Sequence, residues 1–322
     1  MLPLGVVIPT KNSRPYLPAH LDGLRSWLDQ SEQVVVVDSF STDGTVEYLR
    51  EHLAHPRVSF LTHPPGLYDS WNHGIAHIRS PFVFMATTGD LITRPGLEQL
   101  LHTAQSLDCD VVISKPTFRD PAGRALPDIP WPIDDLIATL RITQPSRLHK
   151  LEAMLFAATH ATGALLGSSA SNVYRTQTLQ KFPFPTTFRG AGDGIWGLLH
   201  APEIRWGVVP EKFSSFLVHP PTDSVQGKSA SPPPSQDKIL REATEQWLAN
   251  GTVTPAELQS IKWTQCLQTL TEYLSQKNAF DDFRHQSFPW VLNPAAIIAR
   301  WRRNRARQQL HTFRLLGSPL PR

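Results

Sequence analysis

Apolar positions in the first third of the chain switch repeatedly between short continuous runs and helical spacing. Leu4 to Ile8 is a run with three β-branched residues, closed by Pro9, and reads as a buried strand. Leu17, Leu21, Leu24 and Leu28 then recur at spacings of 4, 3 and 4, one face of a helix. Gln33 to Val37 ends in four valines before Asp38 and reads as a second strand. A run without alternation suits a strand covered on both faces, so the sheet is expected to be largely parallel. Val46, Leu49 and Leu53 predict a helix, Val58 to Leu61 a third strand, and Tyr68 to Ile78 a helix. Phe82 to Ala86 is a fourth strand, Pro95 opens a further helix, and Asp110 to Ser114 gives a fifth strand. This alternation predicts an α/β fold with right-handed crossovers.

From Lys115 to Gly163 the pattern breaks, with prolines at 116, 121, 127, 130, 132 and 145 and helical pieces around 134–141 and 147–159. Phe216 to Val218 reads as a late strand. Ser224 to Gln236 is rich in Ser, Pro and Gly and reads as a flexible lid or a linker. Beyond it, Ile239–Ala249 and Pro255–Gln276 read as helices, and Pro294 opens a last one carrying Ile297, Ile298 and Trp301. The expected organisation is a first domain over 1–223, divided at 114/115, a linker over 224–236, and a helical extension over 237–322.

Composition narrows the class. With 40% hydrophobic and 18% charged residues the chain has a full core, which excludes disorder, collagen and coiled coil as whole-chain descriptions. The net charge of +3 hides an asymmetry: residues 293–322 hold seven arginines and no acid, leaving the body at −4. A basic amphipathic end suggests an anionic partner, and phospholipid or a lipid-linked diphosphate fits better than nucleic acid. A solvated face or a dimer contact is the plainer alternative. The two cysteines, Cys109 and Cys266, offer neither a disulfide framework nor metal-finger spacing, which fits a reduced, cytoplasmic compartment. No apolar run approaches a membrane span, and Pro9 and Lys11 come too early for a signal peptide.

In layered α/β sheets, ligands bind outside the carboxyl ends of the strands. Thr10, Asp38 and Asp90 each follow a strand. Two such carboxylates can divide the work, one accepting from a base or ribose and one holding a divalent cation against a diphosphate. Alternatively, Asp38 and Asp43 only form Asx-turns and cap the next helix. No Gly-x-Gly-x-x-Gly follows the first strand and no Walker-type loop occurs.

Val7-Ile8-Pro9-Thr10-Lys11-Asn12 and Val34 to Thr45 resemble the opening of family 2 glycosyltransferases, which have the GT-A fold. Gly66-Leu67-Tyr68-Asp69-Ser70-Trp71-Asn72-His73-Gly74-Ile75 is similar to the Gly-Ile-Tyr-Asp-x-x-Asn-x-Gly-Ile signature of one bacterial branch, and Thr88-Gly89-Asp90 to its shortened metal-binding motif. The four blocks fall in order within residues 4–93. The resemblance implies a GT-A-like, Rossmann-like sheet flanked by helices, with the helical extension following it. It implies a nucleotide-sugar donor bordered by Pro9, Thr10, Asp38, Tyr68, Asp69, Asn72 and Arg79, and Mg²⁺ or Mn²⁺ held by Asp90, with His219 as a further metal ligand. Thr87 and Thr88 stand where many relatives carry an acid, so the acidic motif is thinned to one carboxylate.

The resemblance also implies that Asp193, in Gly190-Ala191-Gly192-Asp193-Gly194-Ile195-Trp196, is the general base of an inverting transfer to a hydroxyl. As an alternative it caps the helix that follows. A saccharide or lipid-linked acceptor, a role in cell-surface polysaccharide or glycolipid synthesis, and a peripheral position on the inner face of the plasma membrane complete the expectation. Two other classes stay open. One is a nucleotidyltransferase, which residues 9–15 disfavour by lacking glycine; the other is a non-catalytic sugar-nucleotide or lipid-binding relative.

Overall fold

The computed structural model describes residues 1–160, 165–166, 169–218, 234–284 and 294–316. In chain order the first elements are β1 (Leu2–Thr10), α1 (Leu17–Leu24), β2 (Ser31–Asp38), α2 (Thr45–His52), β3 (Val58–Thr62), α3 (Leu67–Ala76), β4 (Phe82–Met85), β5 (Leu91–Ile92) and α4 (Arg94–Ser106). The middle of the chain adds β6 (Val111–Ile113), β7 (Thr117–Arg119), α5 (Pro132–Leu140), β8 (Ser146–Arg147), α6 (Lys150–Thr159), β9 (Asn172–Arg175) and α7 (Thr176–Lys181). It closes with α8 (Gly192–Leu199), β10 (Trp206–Val208), β11 (Ser214–Leu217), α9 (Gln236–Ala249), α10 (Pro255–Ser260), α11 (Trp263–Arg284) and α12 (Pro294–Leu316).

Eight strands form the main sheet in the order β3-β2-β1-β4-β9-β6-β10-β8. β1 is parallel to β2 and β4, and β2 to β3, so four strands end on one edge. β9 enters antiparallel between β4 and β6, and β10 restores a parallel pair with β6. The valine run of β2 is buried throughout, as its lack of alternation requires. On one face Leu4, Val6 and Ile8 meet Leu17, Leu21, Trp27, Phe84, Leu97 and Leu100. On the other, α3 lies unusually close to β1 and β2. A Cβ on Gly74 would come within 2.5 Å of Val7 Cγ1 and 3.0 Å of Val37 Cγ2. Glycine at that position lets the helix carrying Tyr68, Asp69 and Asn72 rest directly on the sheet.

The chain divides into two compact units: Met1–Leu148 with Gly163–Gly197 and Ile204–Ser231, and His149–Thr162 with Leu198–Glu203 and Pro232–Arg322. In the second, α6 joins the C-terminal helices, and Trp247, Trp263, Cys266 and Leu270 are buried. The helix expected over 255–276 is two helices. Lys262 adopts φ 50°, and the chain turns there before α11 runs on to Arg284. Thr254 and Glu257 cap α10 reciprocally, which makes it a separate short element. The helix expected to follow Asp193 starts one residue before it, at Gly192.

Candidate functional site

β1 and β2 end in register, Thr10 opposite Asp38 and Pro9 opposite Val37. The loops leaving them are stitched together. Ser39 N donates to Thr10 O at 2.9 Å, Asn12 N to Ser41 Oγ at 2.9 Å, and Thr42 N to Asn12 Oδ1 at 2.9 Å. The buried Asp38 carboxylate accepts from both Ser41 N, at 2.9 Å, and Ser41 Oγ, so it closes an Asx-turn. Asp43 accepts from Thr45 N at 3.1 Å at the start of α2. The turn reading and a ligand role coexist at Asp38, since each carboxylate oxygen has a second lone pair. Thr10 Oγ1 is buried with no hydrogen-bond partner among the described residues.

The Thr87–Asp90 turn after β4 is clasped from three directions. Gly89, at φ 101°, donates its N–H to Nδ1 of His20 at 3.4 Å, and its carbonyl accepts from the Arg119 guanidinium. Asp90 Oδ1 accepts from Leu217 N at the end of β11, at 2.9 Å. Burial pushes the Asp90 carboxyl up to about 7, against the pull of the Leu217 N–H and Arg119. His20, buried on the apolar face of α1, is pushed down to about 4, also chiefly by burial. Thr88 Oγ1 is a second buried hydroxyl without a partner among the described residues.

No group of three His, Cys, Asp or Glu residues able to hold a metal ion is found among the described residues. What Asp90 offers is one carboxylate oxygen that takes no hydrogen bond from a described residue. That donor set suits a hard divalent cation only when a diphosphate and water bring the remaining oxygens. His219 lies outside the described residues.

Tyr68 and Asp193, 125 residues apart in sequence, are brought into contact. Tyr68 is buried on α3; its hydroxyl donates to Gly190 O at 3.3 Å and lies close to the Asp193 carboxylate, whose ionised form it favours. Its ring occupies the space above Gly192, where a Cβ would meet Cδ2 at 2.5 Å. Asp193 sits in the first turn of α8, where its Oδ1 accepts from Gly194 N at 2.7 Å. Burial raises the Asp193 carboxyl above its ordinary range, while the nearby Tyr68 hydroxyl and the Gly194 N–H oppose the shift. The Tyr174 hydroxyl, which accepts from Asn172 Nδ2 at 3.0 Å, is pushed up mainly by burial, with the Asp193 charge adding to the effect. The carboxyl therefore lies among aromatic rings, and its burial biases it towards the protonated form.

Two expected donor residues are placed differently. Arg79 lies beyond the C-terminal end of α3, exposed, and its backbone N–H donates at 3.0 Å to Gln33 Oε1 near the start of β2. It therefore belongs to the sheet edge opposite Thr10 and Asp38, because α3 runs back along the strands. Asn72 spends its amide on the backbone of Phe184, so it fixes the loop ahead of Asp193. Asp69, half-buried, packs against Gly66 and has no ion-pair partner among the described residues.

Sequence patterns missed His20, Arg119 and Asn172. His20 had a signal, a polar residue at a core-facing position of the Leu17, Leu21, Leu24 stripe. Arg119 had none, since it lies in the proline-rich stretch and reaches Gly89 only through the pairing of β7 with β11.

Residues 5–131 match the family model described as Glycosyl transferase family 2. No curated protein sequence matches the chain. Among solved structures, TarS of S. aureus (residues 1–349), in complex with UDP-GlcNAc, aligns at 17% identity with a TM-score of 0.54, covering 98% of this chain and 90% of that one. The mannosyltransferase PcManGT of Pyrobaculum calidifontis, in complex with GDP-Man and Mn²⁺, aligns at 18% identity with a TM-score of 0.53, covering 98% and 85%. At these identities the likeness is one of fold, and it is the GT-A fold expected from the sequence.

Proposed function

We propose, from the match of residues 5–131 to the Glycosyl transferase family 2 model, that this chain moves a sugar from a nucleotide diphosphate donor, uridine-linked, to an acceptor hydroxyl with inversion. The observation that carries the reading lies at the ends of three adjacent parallel strands. β2, β1 and β4 lead into Asp38, Thr10 and the Thr88–Asp90 turn, and two of the hydroxyls there are buried without a partner among the described residues. A buried polar atom left unpaired costs about 1–3 kcal/mol, and a polar ligand at this edge would recover it. In this reading Thr10 and Asp38 border the base and ribose, Pro9 flanks them, and Tyr68 and Asp69 line the sugar side.

Asp193 is the general base. Its carboxylate takes the acceptor's proton as the hydroxyl oxygen bonds to the anomeric carbon, while the bond from that carbon to the diphosphate oxygen breaks and the nucleotide leaves. Tyr68 orients the carboxylate and keeps its charged form available. Asp90, with His219 as an additional ligand, would hold a divalent cation, which when bound with the donor would supply charge neutralisation on the departing diphosphate. Residues 1–223 would form the catalytic domain, with a saccharide or lipid-linked alcohol as acceptor for cell-surface glycan synthesis.

The test is a panel of UDP- and GDP-sugars, with and without Mn²⁺, read by thermal shift and by release of nucleotide diphosphate. A UDP-sugar that both stabilises the protein and turns over supports the reading. Stabilisation without turnover on any acceptor would favour a non-catalytic sugar-nucleotide binder.

A further inference from the structure

The first half of helix α12 docks through its small side chains and turns its large ones to solvent. Ala296, Ala299, Ala306 and Leu310 are buried, a stripe one or two turns apart along the face that packs on α11 and α6. Ile297, Ile298 and Trp301 point away from that stripe and are 49%, 50% and 60% exposed. They are three of the eight large hydrophobic side chains exposed among the described residues, and they fall within five positions. A docked surface helix normally buries its large apolar residues and shows polar ones. The reversal leaves a compact apolar knob, the kind of patch that marks an interaction site.

Arginines surround the knob. Arg300, Arg302, Arg305 and Arg307 are exposed on the same helix, and the Arg305 guanidinium lies 5.7 Å from the Trp301 ring. No Asp or Glu occurs anywhere between 294 and 316. Arginine stems lie along apolar surface while their heads reach for anions.

We propose that this face of α12 seats in the interfacial layer of a bilayer carrying anionic phospholipid. Ile297, Ile298 and Trp301 enter between the headgroups, and the flanking arginines pair with lipid phosphates. The chemistry selects this partner over two others. A second copy of the chain would bring the same arginines against themselves, and a nucleic acid would engage the arginines while leaving two isoleucines in water. No helix among the described residues is long and apolar enough to cross a membrane, so α12 would lie on the surface. This inference does not depend on the proposed sugar transfer.

The experiment uses the full chain in sedimentation with phosphatidylcholine vesicles and with mixed phosphatidylcholine–phosphatidylglycerol vesicles. Binding to the mixed vesicles should be at least about tenfold stronger and should fall with salt. I297S/I298S, which keeps every arginine, should lose that binding about tenfold, and R302Q/R305Q should lose the preference for anionic lipid. Circular dichroism checks that both variants stay folded, and UDP-sugar thermal shift checks that the donor site is untouched. Three outcomes would overturn the proposal: no vesicle binding, binding unaffected by I297S/I298S, or equal loss of binding to poly(U) and to vesicles only when arginines are removed.

Discussion

Asn72 holds the backbone of Phe184 at both of its polar groups: Nδ2 donates to the carbonyl at 2.7 Å, and Oδ1 accepts from the N–H at 3.0 Å. The pair fastens α3 to the loop that leads, nine residues on, to Asp193. Asn72→Ala strands two backbone groups and should cost about 1–3 kcal/mol, seen in chemical denaturation. Because the loop carries the proposed base, turnover should fall further than donor affinity. A variant with wild-type stability would show that water replaces the amide and that the clamp is dispensable.

Asp193→Asn tests the base directly. Asn keeps the shape and the hydrogen bond from Gly194 N but takes no proton. Turnover should drop by roughly 10²–10⁴ with donor affinity within a few-fold. If Asp193 only capped α8, the loss would be a few tenths of a kcal/mol in stability, because Asn and Asp cap about equally well.

The Tyr68 hydroxyl beside Asp193 favours the ionised form of that carboxyl. Removing it in Tyr68→Phe should favour the protonated acid and move the acidic limb of the kcat profile to higher pH, by up to about one unit. The alkaline side should stay where it is. A limb that does not move, with an unaltered fold, would separate Tyr68 from the base.

Asp90 and His20, on either side of the Gly89 turn, should bend the pH dependence of stability in opposite senses. Asp90 is raised to about 7 in the folded protein, so the folded state holds the proton longer and stability falls as pH rises from about 4 to 7. His20 is lowered to about 4, so the unfolded chain binds its proton first and stability rises from about 4 to 6.5. In the native protein the two slopes largely offset. Asp90→Asn should leave the rising slope of His20, and His20→Gln the falling slope of Asp90, each worth a few kcal/mol across the interval. Urea titrations at pH 4.5, 5.5 and 6.5 read both. Asp90→Asn should also remove the dependence of donor affinity on Mn²⁺.

Much of the first half was legible. The β1 and β2 runs needed only their lack of alternation, and α3 carried both helical spacing and a recognisable motif. β9 was harder to place. Asn172-Val173-Tyr174-Arg175 resembles the family's second-half strand, but nothing local shows that it slips antiparallel between β4 and β6, because that position is set by pairings about ninety residues away for β4 and sixty for β6. The break at Lys262 was hidden because no glycine or proline marks it. Arg79 shows what helical spacing does not say: a residue at the C-terminal end of α3 sits at the opposite edge of the sheet from the residues that open that helix. Lys115, buried between Asp128 at 2.9 Å and Asp134 at 2.6 Å, folds the proline-rich stretch back on itself, and that pairing is a contact that patterns of hydrophobicity do not encode.

The bare face of α3 at Gly74 sets a limit on how this protein can change. With no methyl group between helix and sheet, the height of Tyr68 and Asp69 above the strand ends is fixed by a hydrogen atom on Gly74 resting on Val7 and Val37. Any side chain there lifts the whole helix, and with it the tyrosine that touches Asp193. A change of donor preference therefore cannot come from tilting α3. In the proposed reading of the site it would come from side chains at Leu67 and Asp69 or in the loops around Asn12 and Phe40, which leave the Gly74 contact untouched.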